Sequence, residues 1–123
     1  MRRALEAWSS PERRAEYFDL YAPDAAVHVH ELGSVAGLRL LYDALWAAFP
    51  DAKTSIEDLV ADGDKLAYRI TFHATHLGQF QDLAPTGKRI RLSMVGILHF
   101  VNGKVVGRWA YDNLAEALQQ LRS

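Results

Sequence analysis

Apolar positions change their period twice along this chain, and the changes divide it into elements. The first twenty residues read as helix. After Ser10-Pro11-Glu12, Ala15, Phe18, Leu20 and Tyr21 recur at helical spacing. That triplet offers a capping hydroxyl, a proline at the first helical position and an acid at the positive helix end. Ala22-Pro23-Asp24 stops the run, and Ala26 to Glu31 then alternates, valines on one face and His28 and His30 on the other. Leu32-Gly33-Ser34 breaks it. From about Val35 to Phe49 the helical period returns, with Leu38, Leu41, Tyr42, Leu45, Trp46 and Phe49 in one wide stripe that Pro50-Asp51 ends.

The remainder predicts strands. Lys53 to Ala61 alternates, Asp62-Gly63-Asp64 turns, and Lys65 to His76 places Leu66, Tyr68, Ile70, Phe72, Ala74 and His76 on one face. Pro85-Thr86-Gly87-Lys88 closes a polar loop. A long strand from Arg89 to Val101, a turn at Asn102-Gly103, a last strand from Lys104 to Asp112 and a short helix from Asn113 to Leu121 complete the chain. Helices followed by a run of antiparallel strands predict one α+β domain over residues 1–123, its helices packed on one face of the sheet. Strands of about a dozen residues exceed the usual five or six and curve, so their concave side is more than short helices can fill. A pocket is the expected consequence.

Composition narrows the functions this domain can serve. Fourteen Lys and Arg balance fifteen Asp and Glu without segregation, which argues against a nucleic-acid partner. The absence of cysteine removes disulfides, thiolate nucleophiles and thiolate metal sites. Neither a secretory signal nor an apolar run of roughly 18 residues is present, so no membrane partner and a cytoplasmic location are expected. His28 and His30 could begin a metal site with His76, but no acid-histidine spacing completes it, and no metal is expected. No phosphate loop, nucleophile elbow or dinucleotide fingerprint occurs, and the expectation is a protein without cofactor. What remains is an excess of aromatics, three Trp, five Tyr and five Phe, on the faces that would surround one cavity.

An ordered set of short motifs resembles the SnoaL-like polyketide cyclase and ketosteroid isomerase branches of the nuclear-transport-factor-two-like superfamily. The set comprises Leu20-Tyr21-Ala22-Pro23-Asp24, Gly37, Phe49-Pro50-Asp51, Gly63-Asp64-Lys65-Leu66, Thr75-His76-Leu77-Gly78, Pro85-Thr86-Gly87-Lys88, and Gly103-Lys104-Val105-Val106 before Trp109 and Asp112. The resemblance implies a cone-shaped domain, a curved antiparallel sheet with helices over its concave face and a pocket beneath them, often a homodimer through the sheet's outer face.

It also implies candidate residues. Asp112 falls where SnoaL-like cyclases carry an aspartate acid/base near the end of the last strand; its competing role is to cap the terminal helix. His30 stands where ketosteroid isomerases have an acidic general base, and imidazole suits proton transfer near neutrality; Glu31 is the neighbour a shifted register would put there. His76 of the Thr-His-x-Gly motif is a third catalytic candidate, with a hydrogen-bonded core histidine as the alternative. Leu98 occupies the position of the isomerases' oxyanion-hole acid, so Tyr17, Tyr42 or Tyr68 would have to substitute for it. Tyr17, Tyr42, Trp46, Phe49, Tyr68, Met94, Leu98 and Trp109 are the expected substrate-binding walls.

Trp109 and Asp112 are three residues apart, which on a regular strand puts them on opposite faces unless a β-bulge intervenes. A three-residue loop at Val101-Asn102-Gly103 is the preferred hairpin, because it places Leu92, Met94 and Leu98 on the Asp112 face; a two-residue turn would place Ser93 there. The expected function is cofactor-independent cyclase- or isomerase-type proton transfer on an apolar, carbonyl-bearing, polyketide-like or cyclic small molecule. A non-catalytic small-molecule-binding pocket protein of the same fold is the alternative.

Overall fold

The computed structural model describes residues 2–29 and 33–122. Its five strands form one sheet in the order β1-β5-β4-β3-β2, with β1 Tyr21–His28, β2 Lys53–Asp62, β3 Lys65–Thr75, β4 Arg89–Val101 and β5 Lys104–Asp112. Three α-helices accompany it: α1 Arg2–Trp8, α2 Val35–Ala48 and α3 Leu114–Arg122. The alternation read in β3 decides which face is covered. Leu66, Tyr68, Ile70, Phe72 and Ala74 pair with Leu98, Gly96, Met94, Leu92 and Ile90 of β4, so one apolar face runs across both strands. Trp8 of α1 and Phe49 at the end of α2 both pack edge-on against Phe72, at 5.5 and 5.9 Å between ring centres, and fix the helices over that face.

Helix α2 begins where Ser34 accepts the Gly37 backbone N–H at 3.1 Å, a hydroxyl cap that satisfies one orphan donor. It ends at Phe49, and the carbonyl of Ala48 then accepts the N–H groups of Leu77 and Gly78, fastening the loop after β3 to the helix end. No helix among the described residues is long and apolar enough to cross a membrane.

The N-terminal segment differs from its sequence pattern. In place of one helix from Pro11, α1 stops at Trp8 and a 3-10 helix runs Arg14–Leu20. Ser10 donates back to the Glu6 carbonyl at 3.0 Å instead of capping a new helix. Arg14 pins the segment by donating to the carbonyls of Trp8, Pro50 and Ala52. Strand β1 starts at Tyr21, earlier than the alternation begins, because Tyr21 pairs with Val105 of β5. That pairing is parallel, the exception in an otherwise antiparallel sheet.

The β4–β5 hairpin also departs from the expected loop. Val101 pairs directly with Lys104, so Asn102-Gly103 is a two-residue turn, and both residues have positive φ, +52° and +79°, as a type I′ turn requires. Met94 nevertheless faces Asp112 and Leu98 faces Arg108, because the register shifts between the Phe100–Val105 and His99–Gly107 pairs and leaves Val106 as an extra residue. A bulge beyond the turn does what a three-residue loop was expected to do.

Candidate functional site

Strand β5 sets the chemistry. Its inner-face positions are Arg108, Ala110 and Asp112, and its outer-face positions include Trp109 and Tyr111. No bulge separates Trp109 from Asp112, so the two stay on opposite faces. Trp109 is therefore not a wall of the pocket: it stacks on His28 of β1 at 5.2 Å on the outer surface.

Beneath the helices lies a cavity of about 40 Å³. That is room for about three or four waters at roughly 10–15 Å³ each. Leu5 and Trp8 of α1 close it, Tyr42 and Leu45 of α2 and Phe72 and Met94 of the sheet wall it, and its polar groups include Tyr17, Tyr42, Arg108 and Asp112. Asp112 also accepts the Leu114 N–H at 3.1 Å, so helix-start capping and cavity lining coexist in one side chain. The two roles do not exclude each other, contrary to the sequence expectation, because one carboxylate oxygen suffices for the cap.

Behind the cavity the guanidinium of Arg108, only 3% exposed, is surrounded by phenols. Its Nε donates to Tyr68 at 3.1 Å, and its Nη1 is shared among Tyr17, Tyr21 and Tyr42 at 3.1, 2.8 and 2.9 Å. Burial pushes the Tyr21 phenol up to about 12, and Arg108 only partly offsets it. Burial raises Tyr68 as well, with Arg108 opposing and the negative charge of Asp112 adding. Raised in this way, the Tyr21 and Tyr68 phenols are neutral at physiological pH and act as hydrogen-bonding dipoles.

Of the expected site residues, Asp112, Tyr17, Tyr42 and Met94 meet at the cavity. Tyr68 stands one layer back, touching Arg108 and not the cavity wall. Trp46 and Phe49 are plain core: Trp46 packs on Trp8 and Phe18, and Phe49 on Phe72 and Phe80. Leu98 is buried and likewise outside the cavity wall.

His76 faces inward but away from the cavity. Its Nδ1 lies 3.0 Å from the Thr86 hydroxyl and 3.3 Å from the Thr86 backbone nitrogen, contacts that pin the 76–88 loop against Phe49. A loop that wraps the ring corrects its placement as a catalytic candidate. His30 and Glu31 lie outside the described residues.

Sequence reasoning overlooked Arg108 and Tyr21. The signal was present, since Arg108 shares its parity with Asp112 on β5. Among the described residues no group of three His, Cys, Asp or Glu could hold a metal ion.

The model of the SnoaL-like polyketide cyclase family matches residues 1–121. AclR of Streptomyces galilaeus, a proposed hydroxylase, superposes with a TM-score of 0.88 at 32% identity, covering 97% of this chain and 90% of that one. A proposed polyketide cyclase of Acidithiobacillus ferrooxidans gives 0.81 at 32% identity, over 98% and 89%. IdmH of Streptomyces antibioticus, a proposed polyketide cyclase, gives 0.80 at 26% identity, over 97% and 93%. No curated protein matches the chain.

Proposed function

Because the chain belongs to the SnoaL-like polyketide cyclase family, we propose that it is a cofactor-independent cyclase- or isomerase-type enzyme. In this reading it moves a proton α to a carbonyl of an apolar, polyketide-like or cyclic small molecule. The observation that carries the proposal is Asp112, a carboxylate on the wall of an otherwise largely apolar cavity. In this reading the carboxylate exchanges the proton at the cavity wall, with the Leu114 N–H on one oxygen helping to fix its orientation. Apolar walls exclude water from the reacting carbon and hold it against the carboxylate. His30 is the second proton carrier in this reading.

The ligand must also open its own space. A cleft that holds a drug-sized molecule measures roughly 300–1,000 Å³. Leu5 and Trp8 are the side chains that a substrate of that size displaces, since they belong to the short helix α1.

The test is α-proton exchange into deuterium oxide, followed by NMR on a panel of cyclic β-dicarbonyl compounds. Native protein accelerates exchange on at least one of them, and Asp112→Asn loses at least about a hundredfold while ligand affinity is kept. Exchange that survives Asp112→Asn overturns the assignment. Binding without exchange in the native protein favours the non-catalytic pocket protein.

A further inference from the structure

The acid/base reading leaves one buried group unused. Arg108 has no carboxylate within ion-pair distance among the described residues. Its Nη2 donates one hydrogen to the Met94 sulfur at 3.1 Å, and the other finds no acceptor among the described residues. The Tyr42 hydroxyl accepts from Nη1 at 2.9 Å, so its own hydrogen points elsewhere, again with no acceptor among the described residues. Tyr17 and Tyr21 differ, since their hydroxyls bond to each other at 2.7 Å. Arg108, Tyr42 and Asp112 all line the same cavity.

A fully buried cation whose neighbours are neutral phenols and a thioether is uncommon, because burial of a charge is costly without an opposite one. Burial raises Tyr17, Tyr21 and Tyr68 above their ordinary range despite the guanidinium, so none of these three supplies that charge at neutral pH. The cluster therefore presents a guanidinium and two unused donors at the wall of an apolar cavity. Its chemical complement is an oxyanion on an apolar body.

We propose that Arg108 and Tyr42 form an oxyanion site for a ring-borne enolate or phenolate, whose oxygen accepts from Nη2 and from the Tyr42 hydroxyl. The catalytic use rests on the acid/base reading; the anion binding does not. In the catalytic step Asp112 takes the α-proton, the C–H electron pair forms the new C=C bond, and the carbonyl π pair moves onto oxygen. Arg108 and Tyr42 hold that oxygen while the proton stays on Asp112, so charge is conserved across the step.

The test is a pH titration of 4-nitrophenol, a ring-borne oxyanion whose phenolate absorbs visible light, with and without excess protein. Native protein prefers the phenolate at least about tenfold over the neutral phenol, which lowers the bound probe's apparent pKa by one unit or more. Tyr42→Phe reduces that preference several-fold and Arg108→Met abolishes it; if Arg108→Met does not fold, Tyr42→Phe decides. Asp112→Asn retains or strengthens the preference, because it removes a like charge from the same cavity, and this separates loss of proton transfer from loss of anion binding. Equal affinity for the two forms, no binding at millimolar probe, or a preference that survives both Tyr42→Phe and Arg108→Met overturns the proposal.

Discussion

Gly96 is the small residue on which the phenol cluster depends. A methyl group there would lie 2.5 Å from the Tyr68 hydroxyl and closer still to the Trp109 carbonyl oxygen. The Tyr68 ring lies over the glycine, and its hydroxyl reaches Arg108 Nε. Gly96→Ala is expected to cost about 1–3 kcal/mol through overpacking, read as a lower midpoint in urea denaturation. Residue by residue, the family resemblance picked out Asp112 but left its face open between pocket and helix cap, and the pairing of β5 puts it on the inner face. Arg108 has the same parity but was passed over, because arginine is almost never fully buried unless paired. Trp109 was misplaced for the opposite reason, since grouping it with Asp112 needed a bulge between them, and the bulge lies at Val106.

At the scale of elements, strand β4 and strand β5 were readable to their ends, and α2 to within one residue, since each has a clean period and a turn or cap at its borders. The N-terminal segment was less legible because its conformation answers to distant partners, Pro50 and Ala52 through Arg14, and Val105 through Tyr21. Arg108 joins elements in the same long-range way: its four tyrosines come from the 3-10 helix, β1, α2 and β3.

That union has an alkaline limit. The unfolded Tyr21 phenol ionises near its ordinary value of 10.0, the folded one near 12. A pKa raised by folding contributes stability that is full below the unfolded value and is lost as pH rises through the folded one. Denaturant midpoints should therefore fall between pH 10 and about 12, and Tyr21→Phe should flatten part of that fall.

On the whole-molecule scale the uncovered face of the sheet is as informative as the covered one. Val95, Ile97 and Tyr111 stand exposed there beside Trp109, with Tyr111 at 75%. Adjacent exposed apolar side chains of this kind mark association surfaces. In keeping with the pairing that the fold resemblance implies, we propose that a second copy of the chain covers this face. Sedimentation equilibrium should then show a dimer that Tyr111→Glu with Val95→Lys converts to a folded monomer. A native monomer at micromolar concentration rejects the pairing.

Pairing within the sheet carries a consequence of another kind. Tyr21 of the first strand aligns with Val105 of the last, and Val27 and His28 with Arg108 and Trp109. Everything between them must be made before β1 meets its partner strand. On the ribosome β1 emerges before β2 to β5 and waits for its partner strand, while β2 and β3 zip through the turn between Asp62 and Lys65. Closing a loop of that length sacrifices chain entropy before any contact rewards it. The sheet is completed only once β5 has been made, and the positively charged cluster around Arg108, which draws on both β1 and β5, is assembled only then.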